Sequence, residues 1–119
     1  MNIDKEIFRL DFENFLWFLF IILSFLNICG DNDDKKYLQS GESYYSREAN
    51  HIFTFTLAVT FFIYLYFFVR NYKMYEAVSD SRKKLYLIKL LGSSFLIAGT
   101  ICLWYFQNKE SLFVGSPAI

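Results

Sequence analysis

The chain has 119 residues, 55 % of them hydrophobic and 22 % aromatic, with twelve basic residues balancing twelve acidic ones. That length allows one domain at most. The balanced charge gives no reason to expect nucleic acid as a partner. The charges are segregated: Asn14–Gly30, His51–Val69 and Leu90–Asn108 contain none. A helix rising about 1.5 Å per residue crosses a hydrocarbon core of about 30 Å in roughly 20 residues. A water-soluble helix would keep one polar face, and these blocks have no continuous one. A chain this short also lacks the volume to enclose three helices that are apolar all round. The expectation is an all-α integral membrane protein. It is a single domain, 1–119, with three transmembrane helices at approximately 14–30, 51–69 and 90–108.

Met1–Glu13 mixes Ile7, Phe8, Leu10 and Phe12 with charges, which predicts a short interfacial helix leading into the first span. At the end of that span, Leu26–Asp31 has the look of a lipoprotein signal around Cys29. However, Ile28 is bulky where cleavage wants a small residue, and the leader is acidic rather than basic. The segment Asp31–Asn50 is expected to be a solvated loop. Its Asp31, Asp33 and Glu42 match an EF-hand's first, third and twelfth positions, but Lys35 takes a ligand position and Lys36 replaces the turn glycine.

In the second block, Phe53–Phe61 alternates like a strand, but the alternation fails from Phe61 to Val69. A membrane barrel would need at least about eight strands, which three blocks cannot supply. A helix from about Ser46 to Val78 is expected instead. Ser79-Asp80-Ser81 offers N-cap side chains for a third helix starting near Arg82. A basic helical hairpin would then project between the second and third spans, carrying Arg70, Lys73, Arg82, Lys83 and Lys84.

The third span is richest in small residues. Gly92 and Gly99 share one face, and Ser94 and Ala98 lie nearly opposite. Small residues let helix backbones approach closely in lipid. These four are the candidate helix-packing residues, facing either the other spans or another subunit. Leu112–Ile119 is uncharged and too short to span, and it fits either the interface or an extended contact with a partner.

Cys29 and Cys102, the only cysteines, fall near the same ends of their helices. They are either buried small hydrophobes or, in an oxidising outer compartment, a disulfide joining the first helix to the third. His51 is the only histidine, expected as an interfacial polar residue. No nucleophile triad, metal motif or phosphate-cradling glycine loop is present, so no catalytic residue, cofactor, metal or small-molecule substrate is expected. The spans hold no Asp, Glu, Lys or Arg, unlike ion-coupled transporters.

Basic residues resist translocation. Eight fall on the side of the N-terminus and second loop and four on the other, predicting N-terminus in and C-terminus out. Abundant Phe, Tyr, Ile, Lys and Asn point to an AT-rich genome. A bacterial cytoplasmic membrane is expected, with an organellar inner membrane as the alternative. The expected function is that of a non-enzymatic accessory or structural subunit, packing its helices against itself or against a larger membrane complex. The alternative is a homo-oligomeric, holin-like pore.

Overall fold

The computed structural model describes residues 2–110 and 113–117. It is all-helical: α1 spans Ile3–Ser40, α2 Ser43–Ala77 and α3 Lys83–Lys109, with a 3-10 turn at Asp80–Arg82 leading into α3. All three helices are long and apolar enough to cross a membrane.

Asn2 caps α1, its side chain accepting from the Lys5 amide at 3.1 Å, and Asp4 and Glu6 oppose the positive end of the helix dipole. The helix then runs without interruption through both segments expected to differ from the first span. The interfacial lead and the acidic run Asp31–Asp34 belong to the same helix. The expected loop Asp31–Asn50 therefore shrinks to Gly41 and Glu42. No Gly or Pro breaks the chain between Asp31 and Ser40. The helix ends only at Gly41, whose φ of 75° suits glycine and whose amide donates to Tyr37 O at 2.8 Å. The second helix matches its expected extent within a few residues. At its far end the expected Ser79 cap is made by backbone rather than side chain, with the Arg82 amide donating to Ser79 O at 2.9 Å.

The helices pack as an open layer with α2 in the middle. It touches both neighbours, while no Cα of α1 comes within 8 Å of α3. The molecule measures 59 × 27 × 14 Å, so α1 and α3 flank α2 without closing a bundle. Positions 13, 16, 20, 23, 27, 30 and 34 of α1 repeat at alternating steps of three and four. Glu13, Leu16, Leu23, Gly30 and Asp34 among them are buried. Ala49, Phe53, Thr56, Thr60 and Ile63 answer on α2 with the same steps, the spacing of a left-handed helix pair. Leu16, Leu23 and Ile63 form its apolar centre, flanked by Phe20, Val59 and Phe67.

Glycine is needed at one point of this seam. A Cβ on Gly30 would lie 2.5 Å from Cε1 of Phe53, a ring only 1 % exposed.

The face that α3 turns to α2 is polar: Ser93, Thr100 and Gln107, seven residues apart, are its only buried residues. Outside the seams, Phe18, Phe25, Phe55, Phe62, Phe95 and Ile101 remain exposed, as side chains facing lipid would. Of the C-terminal segment, residues 113–117 turn back onto the bundle. The Gly115 amide donates to Asp34 Oδ2 at 2.8 Å, and Phe113 meets Phe106 edge-on. The rest of that segment lies outside the described residues.

Candidate functional site

Glu13 stands one residue before the charge-free block of α1, and Arg70 one residue after that of α2. The antiparallel pairing of the two helices brings them together. Arg70 Nη1 donates to Glu13 Oε1 at 2.9 Å. Glu13 Oε2 accepts from Arg9 Nη1 at 2.9 Å and from the Tyr66 hydroxyl at 3.1 Å. Arg9 also bonds Glu6 at 2.9 Å.

On its other side, Arg70 donates from Nε and Nη2 to Asn71 Oδ1, at 3.2 and 2.9 Å. Asn71 Nδ2 donates to the Ser93 hydroxyl, which reaches α3. One connected set of polar groups therefore crosses all three helices. Ionised groups strengthen such bonds, and at a membrane boundary the alternative to pairing is exposure to lipid. Arg70 also lies over the Phe67 ring, 4.8 Å from its centroid.

A cleft of about 250 Å³ opens beside this set, over α2 and between α1 and α3. Glu13, Arg70, Asn71 and Ser93 line its polar end, and Trp17, Tyr64, Phe67 and Leu96 line the rest. A second, almost wholly apolar groove of about 330 Å³ lies between α2 and α3, walled by Leu57, Phe61, Thr100 and Trp104.

The opposite end of the bundle has its own polar fastenings. Gln107 Nε2 donates to Asn50 Oδ1 at 2.7 Å, joining α3 to α2. Thr56 Oγ1 lies 3.1 Å from Asn27 Oδ1 and 2.9 Å from Phe53 O, joining α2 to α1 through one of its two acceptors. Asp34, beyond the first span, is held above the usual carboxylate range by burial and by the charges of Asp31 and Asp33, and the Gly115 amide opposes that shift. The two ends also differ in charge. Residues 1–13 and 70–89 carry eight basic against six acidic side chains, and the remainder carries four against six.

The residues singled out in the sequence fall in different places. Arg70, assigned to the basic hairpin, is instead turned into the α1–α2 seam, its side chain 19 % exposed. Lys73, Arg82 and Lys84 are exposed, as a hairpin surface requires. Lys83 folds back, its ammonium 2.9 Å from Tyr75 O and over the Tyr75 ring. Gly92, Ala98 and Gly99 face outward, and a Cβ added at either glycine meets no neighbouring atom within 4 Å. Ser94 bonds its own helix at Leu90 O. Gly92, Ala98 and Gly99 therefore make no seam within the chain, while Ser94 is half-buried.

Cys29 and Cys102 are free and exposed on helices whose Cα atoms stay more than 8 Å apart, so the chain does not bring them together. His51 is exposed at the end of its span. Among the described residues, no group of three His, Cys, Asp or Glu is placed to hold a metal. Comparison with protein-family models, curated proteins and solved structures returns no match. What fold and site define together is a class: an all-helical chain with three helices able to cross a membrane, fastened at one boundary by a charged seam.

Proposed function

We propose that this protein is a non-enzymatic membrane subunit that works by packing its helices against a second copy or a larger membrane complex. The observation that carries this is the outer face of α3. Gly92 and Gly99 stand there with nothing within 4 Å of an added Cβ. Backbone laid bare along one side of a helix allows close approach by another helix. A homo-oligomeric pore draws less support. The buried polar groups Thr56 and Ser93 bond within the chain, which leaves them little to offer a water-filled lumen.

The protein sits N-terminus in and C-terminus out in this proposal, in a bacterial cytoplasmic membrane, since its more basic end carries residues 1–13 and 70–89. Native mass spectrometry of wild type and Gly99→Leu tests the packing. An assembly present in the first and lost in the second, with helicity unchanged, is expected. Unchanged stoichiometry would remove α3 from the contact. Dye release from liposomes holding the wild-type protein would favour the pore. Cysteines placed singly at Ser40 and Ser79, both exposed, test the orientation in a background lacking Cys29 and Cys102. Only the Ser40 position should react with an impermeant maleimide on intact cells.

A further inference from the structure

We infer that the cleft beside Glu13 and Arg70 is a binding site for one anionic glycerophospholipid, with its phosphate at Arg70 and an acyl chain between α1 and α3. The proposal rests on how polarity is ordered along the cleft. Its polar lining comes from Glu13, Arg70 and Asn71, just outside the charge-free blocks, and from Ser93 in the first turn of the third block. Its apolar lining lies deeper on every helix: Trp17 on α1, Phe67 and then Tyr64 on α2, and Leu96 on α3. From Arg70 to Tyr64 is about 9 Å along the helix. The cleft therefore changes from charged to apolar along the bilayer normal, as a phospholipid does. Because α1 and α3 stay apart, it is open to the side from which a lipid would enter.

The charges favour an anion. Both Glu13 oxygens are already engaged, by Arg70, Arg9 and Tyr66, so the carboxylate is neutralised. Arg70 uses three of a guanidinium's five N–H groups on Glu13 and Asn71, leaving two for a further acceptor. Lys89 adds a cation in the same field. Among the described residues, its ammonium has one hydrogen-bond contact, the Met74 sulfur at 3.9 Å. The phosphodiester of any glycerophospholipid can accept from Arg70, but the ammonium of phosphatidylethanolamine would add a further cation beside Arg70, Arg9 and Lys89, which a net anionic lipid avoids.

The full chain, purified in detergent and stripped of lipid, would be titrated in native mass spectrometry with phosphatidylglycerol, phosphatidylethanolamine or glycerol phosphate. One phosphatidylglycerol should bind per chain, more tightly than phosphatidylethanolamine, and glycerol phosphate should not bind. Arg70→Gln should weaken binding about five- to tenfold, as loss of a charge-assisted contact near a membrane surface implies. The surface pair Arg82→Gln/Lys84→Gln should leave it within about twofold.

If Arg70→Gln fails to fold, Leu96→Trp serves instead. It fills the cleft without touching the ion pairs and should abolish the bound lipid. Equal binding of both lipids, equal loss in the surface pair, or retention by Leu96→Trp would each overturn the site. Binding of glycerol phosphate would replace the lipid by a soluble phosphate and overturn the proposal as stated. The same spectra report stoichiometry separately, so this site and the α3 contact stand or fall independently.

Discussion

The charged seam predicts a measurable coupling between Glu13 and Arg70. In Glu13→Ala the Arg70 guanidinium, 19 % exposed, keeps Asn71 and the Phe67 ring but loses its only carboxylate among the described residues. The Tyr66 hydroxyl loses the acceptor it has at 3.1 Å. Breaking a buried pair from one side costs about 3–5 kcal/mol. Arg70 retains a partner and some exposure, so the expected loss is about 2–3 kcal/mol. Arg70→Ala should cost a similar amount, because Glu13 keeps Arg9 but is itself only 7 % exposed. Removing both leaves no stranded charge on either side, so the double variant should fall short of the sum by about 1–3 kcal/mol. Reversible unfolding in mixed micelles, titrated with a denaturing detergent and followed by helicity, measures all four corners of the cycle. A coupling within about 0.5 kcal/mol of zero would show that the two charges are solvated separately, and the seam would lose its organising role.

Gly30→Ala should destabilise the same fold by about 1–3 kcal/mol, since the new methyl must displace the buried Phe53 ring, whereas Gly99→Ala should be neutral or slightly favourable. Unfolding midpoints compare the two directly, and equal effects would contradict the seam at Gly30. Thr60→Val should be neutral or stabilising by about 1 kcal/mol, because the Thr60 hydroxyl is buried without a hydrogen-bond partner among the described residues. A loss in that variant would reveal a partner for it. Burial raises the Asp34 carboxyl, so folding binds a proton and stability should fall as pH rises through and just above the carboxylate range. Asp34→Asn should flatten that slope relative to wild type, while its amide oxygen keeps the Gly115 contact.

The three apolar helices are legible in the sequence because a segment able to cross a membrane tolerates so little charge. Three blocks without Asp, Glu, Lys or Arg lie within α1, α2 and α3. The C-terminal extent of α1 is not legible in the same way, because its charges read as a loop, whereas the charged lead before Asn14 reads correctly as helix. Asp31–Ser40 is polar but contains neither Gly nor Pro. A helix already nucleated by the span propagates through such a stretch at little cost until a residue such as Gly41 stops it. The Glu13–Arg70 pair was legible in principle: both residues border charge-free blocks that run antiparallel, on the same side. Counting Arg70 with the hairpin basics hid it, because a count of loop charge ignores which face of the helix a residue occupies.

The packing faces were harder to read, and the reason lies in the solvent. In water, apolar side chains point inward and their period reveals the buried face. In lipid they are stable facing either way, so Phe62 and Phe53 look alike in sequence although one is 67 % exposed and the other 1 %. What lipid cannot satisfy is a hydrogen-bonding group, and those groups mark the seam. On α3 the informative pattern was Ser93, Thr100 and Gln107, seven residues apart, rather than the glycines beside them. Small residues alone are ambiguous, because close approach can be used within the chain or kept for a partner. Gly30 is used within it, against Phe53, while Gly92 and Gly99 face outward. Glycines left bare on an outer face confer no stability on the isolated chain, since each costs helix propensity of about 1 kcal/mol relative to alanine. In the proposed assembly, another helix lying across them would offset that cost.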